Sequence, residues 1–142
     1  MLYKLPRIYI AGRFIERERL LEARTMVRDL GFTCVSGWMD EVEPKDSLLP
    51  GVPRDRHTCL NLCGRDLGDL CACDLLILDT FGSGGGGRFV EWGFAHALGI
   101  ELMLVGPERT IFDHLADAAA IYKDWRQVEM ALRGIKDDAY RR

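Results

Sequence analysis

The sequence lacks any apolar run that approaches the roughly 18 residues needed to span a bilayer. Its opening segment, residues 1–7, is too short and too polar for a secretory signal peptide. An excess of basic residues is also missing, because 19 Lys and Arg stand against 22 Asp and Glu, for a net charge of −3. That balance argues against a general nucleic-acid binder. Together these absences predict a cytoplasmic protein that engages neither a membrane nor a nucleic-acid polymer.

The chain has no CxxC pair, although it contains five cysteines. An odd number in a chain without a signal peptide predicts reduced thiols. The alternative is a zinc site built from His57 and the four later cysteines, Cys59, Cys63, Cys71 and Cys73. Cys71 and Cys73 are two positions apart, so on a helix they would point to different sides. We therefore expect buried structural cysteines and no metal site.

A G-x-G-x-x-G turn after the first predicted strand is absent as well, which counts against a dinucleotide-binding domain. What is present is ordinary for a globular chain, with 48% hydrophobic and 29% charged residues. At 142 residues, we expect one domain over residues 1–142.

Apolar runs alternate with amphipathic segments along the chain. The predicted strands cover residues 7–11, 32–36, 74–80, 100–105 and 118–122. The predicted helices cover residues 14–30, 57–73, 88–98 and 124–133, the last with Asp124 as N-cap. Residues 37–56, rich in proline and glycine, predict a long loop or lid. Residues 134–142 predict a charged, frayed tail.

This order predicts an α/β, flavodoxin-like or Rossmann-like three-layer fold with a mostly parallel five-stranded sheet. Ligands of such folds bind beyond the carboxyl ends of the strands. A glycine run, residues 84–87, follows one such strand end and precedes a helix that carries Glu91 about one turn inside. Glycines allow close approach of backbone to a ligand, and the N–H groups of a helix start favour an anionic or hydroxyl-rich partner. A carboxylate aimed at such a loop suits nucleophilic catalysis.

Three segments of the chain resemble the nucleoside 2-deoxyribosyltransferase family and its relatives that hydrolyse deoxynucleotide N-glycosidic bonds. They are residues 8–14 (IYIAGRF), 65–74 (RDLGDLCACD) and 86–95 (GGRFVEWGFA). The third is the most specific, since it looks like the family's glycine–nucleophile–glycine segment. The resemblance extends over residues 7–115, and its last part looks like the shorter branch of the family.

The resemblance implies that Glu91 attacks C1′ of a deoxyribosyl group and forms a covalent glycosyl-enzyme, from which the sugar passes to another base or to water. It implies that Tyr9 holds the Glu91 carboxylate and that Asp66 binds a sugar hydroxyl or positions the leaving base. The chemistry agrees, because glycosidic cleavage passes through an oxocarbenium-like state that a carboxylate stabilises and then captures. No metal and no organic cofactor is implied. A homo-oligomer, a dimer or larger, is implied.

The sequence departs from the transferase pattern at Gly85, where typical transferases carry an aspartate that protonates the base. Asp79 at the strand end is the candidate replacement. In the hydrolase branch a glycine- and serine-lined loop binds a 5′-phosphate, and here the loop around Ser83, together with Arg13, is the candidate for that contact. A nucleoside and a nucleoside monophosphate both stay open as substrates. The full set of predicted substrate-binding residues is Gly12, Arg13, Trp38, Asp79, Ser83, Gly86, Gly87 and Arg88.

Two of these positions have alternatives. Trp38 either stacks on a base or packs in the fold, and Arg88 either contacts substrate or pairs with Glu91. Two alternatives for the function also stay open. One is a cytokinin-activating type of phosphoribohydrolase, although Arg88 stands where that pattern has threonine. The other is a non-catalytic nucleotide sensor, which would bind ligand and release no base.

Overall fold

The computed structural model describes residues 4–40 and 55–142. Within that part the strands are β1 (Ile8–Ala11), β2 (Leu75–Asp79), β3 (Glu101–Val105) and β4 (Ile121–Tyr122). The α-helices are α1 (Arg17–Asp29), α2 (Arg56–Cys71), α3 (Gly87–Ala97) and α4 (Trp125–Arg141). Most of the predicted loop or lid, residues 41–54, lies outside the described residues, and Gly37–Asp40 forms a short 3-10 helix.

The four strands form one parallel sheet in the order β1-β2-β3-β4. Tyr9 is paired with Leu76, and Leu76 in turn with Leu102. Every residue of β1 and β2 is buried, as expected for parallel strands that are covered on both faces. The helices pack as two pairs, α1 with α4 and α2 with α3, and α3 also contacts the sheet. The predicted three-layer α/β fold is therefore confirmed.

The predicted strand at residues 32–36 is reduced to an isolated parallel bridge between Cys34 and Ile8. The Ile8 N–H donates to the Thr33 carbonyl and the Val35 N–H to the Ile8 carbonyl, each at 2.8 Å. The next position of the ladder is taken over by a side chain, because the Ile10 N–H donates to the Ser36 hydroxyl at 2.6 Å. The segment still lies beside β1, so its place in the sheet matches the flavodoxin-like strand order. Over residues 4–40 and 55–142, the prediction of five strands is thus corrected to four strands and a bridge.

The prediction that residues 134–142 form a frayed tail is wrong, because α4 continues to Arg141. Its start is as predicted, with the Asp124 carboxylate accepting from the Gln127 N–H at 2.9 Å. Val128 and Leu132 are fully buried, and Ile135 packs against the core one turn later. This apolar stripe carries the helix through Gly134, whose cost of about 1 kcal/mol is offset by tertiary packing.

The prediction of buried cysteines holds for Cys34 and Cys73 and is wrong for Cys63 and Cys71, which are exposed on α2. The reason is that α2 presents a narrow apolar face, with Leu70 as its buried residue. Among residues 4–40 and 55–142, no helix is long and apolar enough to cross a membrane.

Candidate active site

Tyr9, Asp66 and Glu91 come together from three separate elements, β1, α2 and α3. Tyr9 lies in the middle of β1, and its hydroxyl is close enough to Glu91 and Asp66 for both carboxylates to act on its ionisation. Glu91 lies one turn inside α3 and faces the same two groups. The packing of α2 against α3 brings the two acids together beside the sheet. The structure thus places the three predicted catalytic residues in one cluster.

Each of these three side chains has a buried polar atom without a hydrogen-bond partner among the described residues. The atoms are Tyr9 Oη, Asp66 Oδ1 and Glu91 Oε2. The Tyr9 hydroxyl adjoins the Glu91 carboxylate, but the two do not meet the geometry of a formed hydrogen bond. An unsatisfied buried polar group costs about 1–3 kcal/mol, so three in one place are unusual in a folded core. Such a cluster is typical of a site that is organised for a polar ligand.

The two carboxyl groups of the cluster hold their protons more tightly than ordinary acids. Burial raises the pKa of Glu91 to about 7; the neighbouring Tyr9 hydroxyl opposes this rise and the charge of Asp66 adds to it. Burial also raises the pKa of Asp66 to about 6, against the influence of Arg65 and with that of Asp69. The pKa of Tyr9 is raised by burial and by Glu91, so its hydroxyl stays protonated. The cluster can therefore hold and release protons near neutral pH.

The glycine loop lies between β2 and α3 and contains three residues with left-handed backbone. Gly82, Gly84 and Gly85 have φ of 73°, 75° and 72°. The side chain of Arg13 lies across two of them, because a Cβ on Gly82 would fall 2.1 Å from Arg13 Nη1 and one on Gly85 would fall 2.6 Å from its Cγ. Only glycine fits this backbone and this close contact.

Four more of the predicted substrate-binding residues line or border this region. Ser83 is exposed on the loop, Gly86 and Gly87 begin α3, and a Cβ on either of these two glycines would meet open space. Gly12 has a packing role instead, because a Cβ there would fall 2.3 Å from Leu20 Cδ1. The placement leaves Ser83, Gly86 and Gly87 accessible to a ligand.

Asp79 was predicted to bind substrate, and its surroundings do not support that role. Its carboxylate is fully buried and accepts from both terminal nitrogens of Arg19 at 2.9 Å. It also accepts from the Trp125 indole at 2.8 Å and from the Phe81 N–H at 3.1 Å. These bonds occupy both oxygens and join α1, α4 and the start of the glycine loop. Asp79 therefore stabilises the fold. It does not take the role of the aspartate that typical transferases carry at the position of Gly85.

Trp38 and Arg88 also make internal contacts in place of the predicted substrate contacts. The Trp38 indole is buried, donates to the Ile10 carbonyl at 2.8 Å and lies 6.4 Å from the Phe14 ring, so it packs in the core. Arg88 is 2% exposed and its guanidinium donates to backbone carbonyls of the glycine loop. It makes no ion pair with Glu91.

Arg109 is a residue of this region that sequence reasoning missed. Its Nε donates to the Thr80 carbonyl at 3.1 Å, next to the glycine loop, and the residue is exposed. Its backbone N–H donates to the buried carboxylate of Asp113, which also accepts from the Thr110 N–H in a capping box. The signal in the sequence was the Thr110-x-x-Asp113 spacing, which is typical of such a box. Burial lowers the pKa of Arg88, and the charges of Arg13 and Arg109 lower it further. Three cations therefore lie near the loop.

Two solved structures share this architecture. The 2-deoxyribosyltransferase from Bacillus psychrosaccharolyticus is 21% identical, with a TM-score of 0.69 over 89% of this chain and 95% of that one. The CMP N-glycosidase BcmB from Clostridium botulinum is 16% identical, with a TM-score of 0.58 over 89% of this chain and 97% of that one. No family model and no curated protein matches the sequence. The chain therefore has the fold of these two enzymes over nearly their whole lengths, as the sequence resemblance implied.

Proposed function

We propose that this protein is an enzyme that cleaves the N-glycosidic bond of a 2′-deoxynucleoside or its 5′-monophosphate through a covalent glycosyl-Glu91 intermediate. The observation that carries the proposal is the cluster of Tyr9, Asp66 and Glu91, each with a buried polar atom that lacks a hydrogen-bond partner. Glu91 in this cluster lies on α3, the helix that follows the glycine loop. The two solved structures with this fold support the same chemistry, because one is described as a 2-deoxyribosyltransferase and the other as a CMP N-glycosidase.

In the first step the ionised Glu91 carboxylate attacks C1′ as the bond from C1′ to the base nitrogen breaks. The bonding electron pair leaves with the base, which takes up a proton from water, and the sugar becomes an ester of Glu91. The transition state resembles an oxocarbenium ion, which the adjacent carboxylate stabilises. In the second step water or another base attacks C1′ and loses a proton to the solvent, and Glu91 leaves as a carboxylate.

Tyr9 and Asp66 support this nucleophile in different ways. The Tyr9 hydroxyl stays protonated and donates toward Glu91, which orients the carboxylate and favours its ionised form. Asp66, with a pKa of about 6, binds a sugar hydroxyl or the leaving base. Because Asp79 is fully engaged by Arg19 and Trp125, no acid of the strand end protonates the base. This absence favours water over a second base as the acceptor.

The cations around the glycine loop favour a phosphorylated substrate. Arg13 lies across Gly82 and Gly85, and Arg109 approaches the same loop through Thr80. Guanidinium groups and loop N–H groups together suit a 5′-phosphate. We therefore propose the monophosphate as the preferred substrate. A homo-oligomer also stays a prediction, which sedimentation velocity would check.

Base release, followed by chromatography, tests the proposed function. The protein is incubated with deoxynucleosides and their 5′-monophosphates, with and without a second free base, beside the Glu91→Ala variant. We expect release of free base and deoxyribose 5-phosphate by the wild type and none by the variant. A new nucleoside would identify a transferase. Binding of these ligands without release of any base would contradict the proposal and favour the nucleotide sensor.

The pH dependence of base release follows from the pKa of the cluster. Glu91 must be ionised to attack, and its pKa is raised to about 7, so kcat/KM is expected to fall about tenfold per pH unit below that value. In the Asp66→Asn variant this fall in kcat/KM should move to lower pH, because a charge that raises the pKa of Glu91 is gone. A pH–rate profile of both proteins checks this. If kcat/KM fell at the same pH in the variant as in the wild type, Asp66 would not act on the ionisation of Glu91.

A further inference from the structure

The buried side chain of Arg88 makes most of the side-chain hydrogen bonds to the glycine loop. Arg88 Nη1 donates to the carbonyls of Asp79 and Phe81, each at 2.8 Å. Arg88 Nη2 donates to the carbonyls of Gly82 and Gly84 at 2.8 and 2.9 Å. The guanidinium therefore binds one carbonyl at the end of β2 and three carbonyls of the loop, in the planar fork geometry that arginine provides and lysine lacks.

The N–H groups of the same loop have the opposite character. The Phe81 N–H donates to the Asp79 carboxylate, but from residue 82 to residue 88 no backbone N–H has an acceptor in the described parts of the chain. The last of these belong to the first turn of α3, which has no side-chain cap. A loop in which most carbonyls accept hydrogen bonds and the N–H groups are free is suited to bind an anion.

Arg88 also contributes charge to this loop. Among the described residues no carboxylate forms an ion pair with it, and Asp79, which is near enough to act on its charge, is already bound by Arg19. A buried cation without an acid partner is costly to a fold, and its Nε atom has no hydrogen-bond partner either. That cost suggests that the residue is kept for a purpose other than stability.

We propose that Arg88 is a positioning residue that holds the glycine loop in its anion-binding form and thereby sets the preference for a 5′-phosphorylated substrate. The inference rests on the proposed function and deepens it. Arg88 lies in the first turn of α3, three positions before Glu91. One contact set therefore fixes both the loop that receives the phosphate and the start of the helix that carries the nucleophile.

Steady-state kinetics of two Arg88 variants test this role. Arg88→Met is expected to lower kcat/KM for a deoxynucleoside 5′-monophosphate by about 10²-fold, mainly through KM, and that for the unphosphorylated nucleoside by about threefold or less. Arg88→Lys keeps the charge but cannot reach four carbonyls, so it should lose as much as Arg88→Met. Equal losses on both substrates, or a near-normal Arg88→Lys, would overturn the proposal.

Two glycine variants keep the proposal testable if the Arg88 variants do not fold. Gly84 has a φ of 75° and a Cβ there would meet open space, so Gly84→Ala strains the loop backbone and leaves the Arg88 side chain in place. Gly134 lies within α4, where a Cβ would also meet open space, and Gly134→Ala is the matched control. The selective loss on the monophosphate should appear in Gly84→Ala and not in Gly134→Ala. Its absence from Gly84→Ala would count against the loop as the phosphate contact.

A binding measurement separates this inference from the proposed function. Titration of ¹⁵N-labelled protein with inorganic phosphate should shift the amide signals of Gly82, Gly84, Gly85, Gly86 and Gly87 in the wild type and leave them unmoved in Arg88→Met. If the wild type released no base from any substrate but gave these shifts, the proposed function would fail and the role of Arg88 would stand. Unmoved signals in the wild type, or equal shifts in the variant, would overturn that role.

Discussion

Glu91→Gln is expected to lower the rate of base release by at least about 10³-fold, because an amide cannot form the glycosyl ester on which the proposed reaction depends. The substitution conserves the size of the side chain and its place beside Tyr9 and Asp66. The measurement is base release from a deoxynucleoside 5′-monophosphate by chromatography. Glu18→Gln is the matched control, since Glu18 is exposed on α1, and it should retain the full rate.

Glu91→Gln is also expected to change the stability of the protein. The pKa of Glu91 is raised from 4.5 to about 7, so the folded state favours its neutral form. The stabilisation from that neutral form is complete below the unfolded pKa and is lost as the pH rises through about 7. Glu91→Gln should therefore unfold at a higher temperature than the wild type at pH 8. A variant that is both active and less stable would contradict the assignment of Glu91.

Asp79→Ala is expected to lower the free energy of unfolding by about 3 kcal/mol, because it leaves the Trp125 indole and the Arg19 guanidinium without their acceptor. This loss of unfolding free energy is at the lower end of the range for a broken buried ion pair, because the Arg19 side chain is 38% exposed and can be hydrated instead. Urea unfolding followed by tryptophan fluorescence measures it. Asp137→Ala on the exposed side of α4 is the control, with no measurable loss expected.

The same variant distinguishes a fold-organising Asp79 from a substrate contact. Asp79→Asn should recover part of the stability, because an amide oxygen still accepts from Trp125. If Asp79→Ala unfolded at the same urea concentration as the wild type but lost base release, Asp79 would be the substrate contact that the sequence predicted, and its role in the fold would be contradicted.

The parts of the fold that were predictable are those that local patterns determine. The apolar run at residues 75–78 between turn signals marks β2, and Asp124 marks the start of α4. The end of α4 was missed because Gly134 breaks the local pattern, while tertiary packing of Ile135 extends the helix. The predicted strand at residues 32–36 is longer than the bridge in the structure, because nothing in its sequence shows that the Ser36 hydroxyl accepts the hydrogen bond from the Ile10 N–H.

The candidate site was less predictable from the sequence than the fold. Tyr9, Asp66 and Glu91 are far apart in the chain, and the family resemblance assigned all three to one site. Asp79, Trp38 and Arg88 were expected at the substrate because polar and aromatic groups near strand ends commonly face ligands. Their partners are mostly backbone carbonyls and one distant arginine. Such partners leave no pattern in a sequence, so the internal roles of Asp79 and Arg88 became visible only in the structure. For Trp38 the structure shows the packing that the sequence left as an alternative.

The stereochemistry of methanol transfer tests the covalent Glu91 intermediate most directly. Base release from a β-configured deoxynucleoside 5′-monophosphate is run in water with added methanol, and the methyl glycoside, which does not change anomer, is assigned by NMR. Attack by Glu91 followed by attack of methanol inverts C1′ twice, so the account predicts the β-methyl glycoside. The α-anomer would show a single displacement, and a mixture of anomers would show a free cation; either result would contradict the intermediate.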